Sequence, residues 1–243
     1  MLPNTKTIKN QFKKSFDKYD QNASIQKESA KILVENIPPK AYSTVLELGS
    51  GTGILTKYFS NLHKFEQYYA NDLVEKSESC VKKYIPESKF FCGDFRKIKF
   101  NQTFDLILSN AVFQWCDNLN YVFDLCKTNL KINGIFAFST FSPENYKEIK
   151  QLTGLTLEYK TKDEIISSLE KDFTILKAEE LHREILFDNP LKILAHMKNT
   201  GVNSLSENKL SITEIKNFCE KYQQLFPNLQ LTYSPIIVIA ELK

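Results

Sequence analysis

Long apolar runs are missing from this 243-residue chain. None approaches the roughly 18 residues of a membrane-spanning helix, so no span is expected. The stretch from Met1 to Asp20 is polar and lysine-rich, without the apolar centre of a secretory leader, and a cytoplasmic location is expected. Cysteine is scarce and dispersed. Cys80, Cys92, Cys116, Cys126 and Cys219 are odd in number and form no C-x-x-C pair, which argues against a disulfide framework or a zinc centre; no metal is expected. The three histidines, His63, His182 and His196, are too scattered to suggest a Ser-His-Asp or Cys-His set. An excess of one charge is also absent, with 32 basic against 29 acidic residues, so no nucleic-acid partner is indicated. What remains is a globular composition, 42% hydrophobic and 25% charged, that suits one large domain or one domain with an insertion.

Glycine is scarce too, yet three of the seven glycines fall at 49, 51 and 53. In Val45-Leu-Glu-Leu-Gly-Ser-Gly-Thr-Gly53 a short β-type run meets the glycines, and helical spacing resumes from Ile54 to Phe59. Glycine suits such a strand-to-helix turn because the turn can demand positive φ and because a Cβ would hold a ligand off the backbone amides. The spacing E-x-G-x-G-x-G differs from the G-x-G-x-x-G of dinucleotide sites. An acid at Glu47 would repel a pyrophosphate and attract an ammonium group, which favours an amino-acid-bearing nucleoside such as S-adenosylmethionine. A purely structural turn is the plain alternative.

Around this stretch the chain reads as alternating elements. Residues 6–36 carry the spacing of two helices, with Ile8, Phe12, Phe16 and Tyr19 as an aromatic stripe that is either core or ligand wall. Residues 67–73 read as a second strand ending at Asp72, placed to hydrogen-bond ribose hydroxyls. A helix over 74–84 and a strand over 89–92 lead to Gly93-Asp94-Phe95, where Asp94 either accepts from an adenine amino group or closes a turn, and Phe95 can pack on the ring. The strand 104–110 ends in Asn110, and 111–118, with Gln114 and Trp115, is expected on the substrate side; Trp115 as core is equally open. A helix over 119–130, a turn at Asn133-Gly134 and a strand over 135–140 complete five β-α repeats. Beyond Pro143, helices are expected over 144–152, 162–170, 191–199 and 212–225, with strand character over 173–187 and 233–241. The inserted helices read as a lid beside the sheet's ligand edge.

On these residues the chain resembles a class I S-adenosylmethionine-dependent methyltransferase over nearly its whole length. Within that group it is similar to the malonyl-acyl-carrier-protein O-methyltransferases of biotin synthesis, the BioC family. The similar segments are Phe16-Asp-Lys-Tyr19-Asp with Ala23 and Gln26, Ser109-Asn-Ala-Val-Phe-Gln-Trp-Cys116, Lys198-Asn-Thr-Gly201 and Leu231-Thr-Tyr233. Two features depart from the pattern: Glu47 replaces the usual aspartate, and the lid region is poor in arginine. The resemblance implies a Rossmann-like α/β fold with a seven-stranded sheet whose last strand is antiparallel. It divides the single domain into an N-terminal helical lid at about 1–36, a β-α cofactor core at about 44–141, and insertions with closing strands at about 142–243.

The cofactor set it implies is Glu47, Gly49, Gly51, Gly53, Asp72, Leu73, Asp94, Phe95 and Asn110, with Tyr19, Gln114 and Trp115 towards the substrate. The implied reaction is methylation of the free carboxylate of a malonyl thioester. A carboxylate of ordinary pKa, about 4, is ionised at neutral pH, so no general base is needed, and Tyr19 would only orient. The implied partner is an acyl carrier protein bearing a malonyl group, or malonyl-coenzyme A, met by a monomer. Lys192, Lys198 and Arg183 in the inserted region are candidate contacts for an acidic carrier. Other readings are a methyltransferase for another small carboxylate or a quinone precursor, and a non-catalytic binding protein of the same fold.

Overall fold

The structure, a computed structural model, describes residues 4–154, 157–201 and 211–243; the parts of the expected lid at 155–156 and 202–210 lie outside the described residues. Strands β1 (Tyr42–Leu48), β2 (Phe65–Asp72), β3 (Lys89–Cys92), β4 (Phe104–Asn110) and β5 (Leu130–Phe141) run parallel. The sheet is completed by β6 (Phe173–Glu180) and by β9 (Pro235–Leu242), which lies antiparallel between β5 and β6, giving the order β3-β2-β1-β4-β5-β9-β6. The chain steps outward from β1 to β3 and returns to β4 on the other side of β1. The crevice beyond the carboxyl ends of β1 and β4 is therefore the switch point where open α/β sheets collect ligands.

Alternation along the strands fills two cores. Leu46, Ile107, Phe136 and Val238 face one side, under α5 (Leu119–Asn129) and α7 (Lys162–Leu169). Their neighbours Val45, Leu106, Ala137 and Ile239 face the other, under α2 (Ser24–Asn36) and α3 (Ile54–Leu62). Burying a large side chain of this kind contributes about 1.5 to 3 kcal/mol, so both faces must be covered. The helix α1 (Thr5–Asn22) crosses the crevice instead of packing under the sheet, burying Ile8 and Phe16.

Two expected strands each divide. The strand character over 173–187 belongs to β6 and, after Leu181-His182, to β7 (Arg183–Leu186); the ending likewise divides at Ser234 into β8 (Gln230–Tyr233) and β9. The pair β7-β8 forms a separate antiparallel ribbon. Ser234 makes the change of sheet possible because its backbone and hydroxyl bond Ser142 N, Asn145 Oδ1 and Leu181 O. Pro235, without an N–H, then opens β9. The helix expected over 144–152 begins later, as α6 (Lys147–Thr153), because Tyr146 sits at φ 58°. Only Ser77–Lys82 of the helix expected over 74–84 forms α4. The turn at Asn133-Gly134 is an outward excursion within β5: Phe104 pairs with Leu130 and Leu106 with Ile135.

The helices α8 (Pro190–Asn199) and α9 (Ile212–Leu225) pack on the ribbon with α6. A fully buried carboxylate fastens this layer: Glu148 accepts from Thr232 N at 3.0 Å and Thr232 Oγ1 at 2.5 Å. Glu148→Ala should cost about 3 kcal/mol, since it leaves two buried donors on β8 unpaired. Chemical denaturation measures this, and a loss near zero would mean the carboxylate contributes nothing net.

Candidate active site

The glycine turn is held from β2. Gly49 N and Ser50 N both donate to Asn71 O at 2.9 Å, and Gly51 N donates to Asp72 Oδ2 at 2.8 Å. Gly49 has φ 71°, and a Cβ there would lie 2.3 Å from Val112 Cγ2; no side chain fits. Gly51 has φ 52°, with nothing within 4 Å of the position a Cβ would take. Gly51 lines an open cleft, and it is there that a nucleoside would need a close backbone approach.

Asp72 borders this cleft. Its Oδ1 accepts from Val74 N at 2.7 Å and its Oδ2 from Gly51 N, so the carboxylate is held by backbone donors at the cleft's border. Burial raises its carboxyl, with the backbone donors of Val74 and Gly51 working against the rise. Leu73, Phe95 and Asn110 also line the cleft. Asn110 Oδ1 accepts from Ser139 Oγ at 2.6 Å, and Nδ2 donates to Gln26 O at 3.1 Å, so its amide ties the end of β4 to β5 and α2.

Asp94 lines the cleft as well, but its lone pairs are taken. Arg96 donates from Nε to Oδ1 at 2.9 Å and from an NH2 nitrogen to Oδ2 at 2.8 Å, the Arg96 backbone N–H adds a third bond, and Thr5 Oγ1 a long fourth at 3.4 Å. Burial alone would raise the Asp94 carboxyl; the Arg96 bonds and charge outweigh it and hold it below the ordinary carboxylate value. A ligand amino group therefore competes first with Thr5, the weakest of the four. The sequence reading passed over Arg96, although an Asp two residues ahead of an Arg at a helix start is a legible pairing.

Glu47 and Gly53 are not among the residues lining the cleft. Gly53 caps α3. The buried Glu47 carboxyl is turned towards α3 and β2, accepting at Oε2 from Thr56 Oγ1 (2.5 Å) and Tyr68 OH (2.6 Å), while Oε1 has no partner among the described residues. Burial raises it to about 7, and those two hydrogen bonds offset only part of the rise.

The far wall of the cleft comes from α1. Ile8, Phe12, Phe16 and Tyr19 line it, and Phe12 meets the edge of Trp115 at 5.8 Å and 87°. Trp115 and Tyr19 border both this cleft and a second, smaller space adjoining it, and Gln114 lines only the second. Burial pushes the Tyr19 phenol well above its ordinary value and the Cys116 thiol, also in the cleft wall, up to about 12. Both are neutral at physiological pH. No histidine lines either cavity among the described residues, and no group of three or more His, Cys, Asp or Glu side chains there could hold a metal ion.

The dock candidates lie outside both cavities. Arg183 donates to Glu28 from Nε and an NH2 nitrogen, both to Oε1 (2.9 and 2.7 Å), and Lys192 pairs with Asp188, while Lys198 makes no ion pair among the described residues.

The raised Glu47 carboxyl has a pH signature. A carboxyl raised in the fold favours folding below its unfolded value, about 4.3, and loses that contribution as pH rises through about 7. Glu47→Gln, which can accept the same two hydrogen bonds, should therefore gain stability over the parent between pH 5 and 8, reaching about 3 kcal/mol at the upper end. Urea denaturation across that range tests this; a difference that does not change with pH would contradict it.

Comparison with known proteins gives the family and the fold. Residues 46–138 match the family described as methyltransferase domain. The chain is 35% identical to the malonyl-acyl-carrier-protein O-methyltransferase of Bacteroides thetaiotaomicron over 99% of both chains. It is also 35% identical to that of Calditerrivibrio nitroreducens, over 96% of this chain and 95% of the other. The crystal structure of the N-methyltransferase NodS from Bradyrhizobium japonicum WM9, in complex with S-adenosyl-L-homocysteine, shares the fold at TM-score 0.56 and 10% identity, over 94% of this chain and 98% of NodS. With more than a third of positions identical from end to end, the chain belongs to the malonyl-acyl-carrier-protein O-methyltransferase family.

Proposed function

We propose that the protein transfers a methyl group from S-adenosylmethionine to the free carboxylate of a malonyl thioester carried on acyl carrier protein, an early step of biotin synthesis. The observation that carries this reading is the pairing of two adjoining spaces. One is bordered by the Gly51 backbone and the Asp72 carboxylate, the other opens across Tyr19 and Trp115.

The residues present fit the methyl donor. Asp72 borders the cleft as an acceptor for a ribose hydroxyl, Gly51 lets the backbone approach, and Phe95 and Leu73 supply apolar contact for a flat base. When bound, the donor supplies an electrophilic methyl on a positively charged sulfur. The chain's own work is to orient the acceptor and to exclude water. The residues around an acceptor carboxylate would have only to hold its oxygen towards that methyl and keep water out, and none of them would need to take a proton. A general base is unnecessary, in keeping with a Cys116 thiol held near 12 and phenols above their ordinary range. The ester hides the charge of the malonyl group.

The carrier is met electrostatically in this reading. With Arg183 and Lys192 already paired, Lys198 and the net charge of +3 are what remain to attract an acidic partner, chiefly through association rate.

Asp72→Ala should weaken S-adenosylmethionine binding about 10- to 150-fold, the loss of hydrogen bonds to an ionised group. Calorimetry on the folded variant measures it, and unchanged affinity would remove the ribose role. Methyl transfer to malonyl-carrier protein, malonyl-coenzyme A and free malonate, assayed side by side, tests the acceptor. The carrier-bound group should react fastest, with a rate that falls with salt and stays level between pH 6 and 8. A steep rise across that range would require a titrating base, and equal rates on all three acceptors would exclude a carrier-specific dock.

A further inference from the structure

The second cavity lies between α1, α2, the Phe113–Trp115 turn and the Asn145-Tyr146 turn that precedes α6. No lysine, arginine, histidine, aspartate or glutamate lines it among the described residues. It is nevertheless polar. Trp115 is 9% exposed and its Nε1 has no partner; Gln26 is 5% exposed and its Oε1 has none; Gln114 Oε1 is also unpaired, its orientation fixed by the bond from Nε2 to Ala111 O at 2.7 Å. Tyr159 OH accepts from Asn145 Nδ2 at 3.1 Å, which leaves its own proton to donate. Tyr19 OH makes no hydrogen bond among the described residues. Buried orphans of this kind each cost about 1 to 3 kcal/mol, so such a cluster facing one space calls for a ligand with matching atoms.

Three of the unspent groups are neutral donors: Trp115 Nε1–H, Tyr19 O–H and Tyr159 O–H. Burial keeps both phenols protonated. The glutamine oxygens are acceptors, matched by an amide N–H such as a pantetheine arm carries.

We propose that this cavity is the acyl-acceptor subsite and that it takes a carboxylate-bearing acyl thioester through neutral donors alone, leaving the positive charge of the methyl donor next door as the only countercharge. The proposal rests on the methyl-transfer reading above. Its chemical consequence is that the carboxylate stays nucleophilic. A lysine or arginine in the cavity would bind the anion tightly in the ground state and lower its reactivity, whereas neutral donors orient it, and attraction to the sulfonium draws it along the reaction axis. Once methylated, the ester has lost that attraction and leaves.

The test is the dependence of acceptor affinity on the charge in the cofactor cleft. Malonyl-N-acetylcysteamine is titrated calorimetrically into the full chain saturated with S-adenosylhomocysteine, whose sulfur is neutral, or with sinefungin, which carries an ammonium in place of the methyl-bearing sulfonium. Affinity should be about tenfold or more higher with sinefungin, as expected for a close charge pair in a water-poor site. The methyl ester of the same thioester should show a ratio near one. Tyr159→Phe and Gln26→Leu should each lower malonyl-thioester affinity several-fold while S-adenosylhomocysteine affinity stays within about twofold, the scale of one hydrogen bond being roughly 1 kcal/mol. Circular dichroism verifies that both variants fold, and the sole tryptophan, Trp115, gives an independent fluorescence reading of occupancy. Equal malonyl-thioester affinity in the two complexes would overturn the charge assignment, and insensitivity to both substitutions would overturn the location. The variants are also titrated without an analogue. Failure of both analogues to bind would then overturn the cofactor reading, while the loss of malonyl-thioester affinity in the variants still decides the cavity.

Discussion

Two consecutive residues at the end of β2 set the geometry on which the site depends. Asn71 O receives Gly49 N and Ser50 N, and its side-chain amide donates to Phe91 O at 2.7 Å and Gly93 O at 2.9 Å. Asp72 receives Gly51 N and Val74 N. Loops after β1, β2 and β3 are thereby fixed to one another by bonds that each have a backbone group on at least one side. Asn71 is 1% exposed, and each of its bonds is made where water is scarce and an unmade bond is costly. The turn can dispense with side chains at Gly49 and Gly51 because β2 holds its shape from outside.

Charge is distributed unevenly over this frame. At the cleft, Asp94 is neutralised by Arg96, while Asp72 forms no ion pair among the described residues and is held by backbone donors. Behind it Glu47 is a carboxyl in an apolar setting, raised to about 7 and serving α3 and β2 through Thr56 and Tyr68. The adjoining cavity carries no formal charge on its described lining residues. In a medium of low effective dielectric, a positive group brought into the cleft acts strongly on an anion next door, because nothing nearer screens it.

Much of the fold was legible because punctuation was clear. Glycines close β1, Pro38-Pro39 end α2, and the apolar blocks of β3 and β4 are short and bounded, so those elements fall where spacing predicts. The second half lacks such marks. Between Phe173 and Phe187 there is neither Gly nor Pro, and the change of sheet at Leu181-His182 depends on contacts with Ser234 and Pro235, far along the chain. The places of Gly49, Gly51 and Asp72 on the cleft follow from their order in the chain, whereas Gly53 caps α3 instead. The direction of the Glu47 side chain could not be read that way, since Thr56 and Tyr68 capture it only after α3 and β2 have packed. Lys198-Asn-Thr-Gly201 is a motif whose reason is steric: a Cβ at Gly201 would lie 3.1 Å from Phe12 Cε1, and Thr200 lines the second cavity.

The helix α1 joins these features into one mechanical unit. Its outer fasteners are exposed: Lys9 and Lys13 reach Glu75 at 2.8 and 3.0 Å, Lys76 pairs with Asp17, and Thr52 bonds Asp20. Exposed pairs of this kind are each worth about 0 to 1 kcal/mol. Its inner face contributes more, through Ile8 and Phe16 and through the edge of Phe12 on Trp115. Phe12 and Tyr19 line both spaces, so any displacement of α1 that admits a nucleoside to the cleft also removes a wall of the neighbouring cavity. The two spaces therefore share one wall, and the packing that holds α1 in place, Ile8 and Phe16 beneath it and Phe12 against Trp115, sets the shape of both.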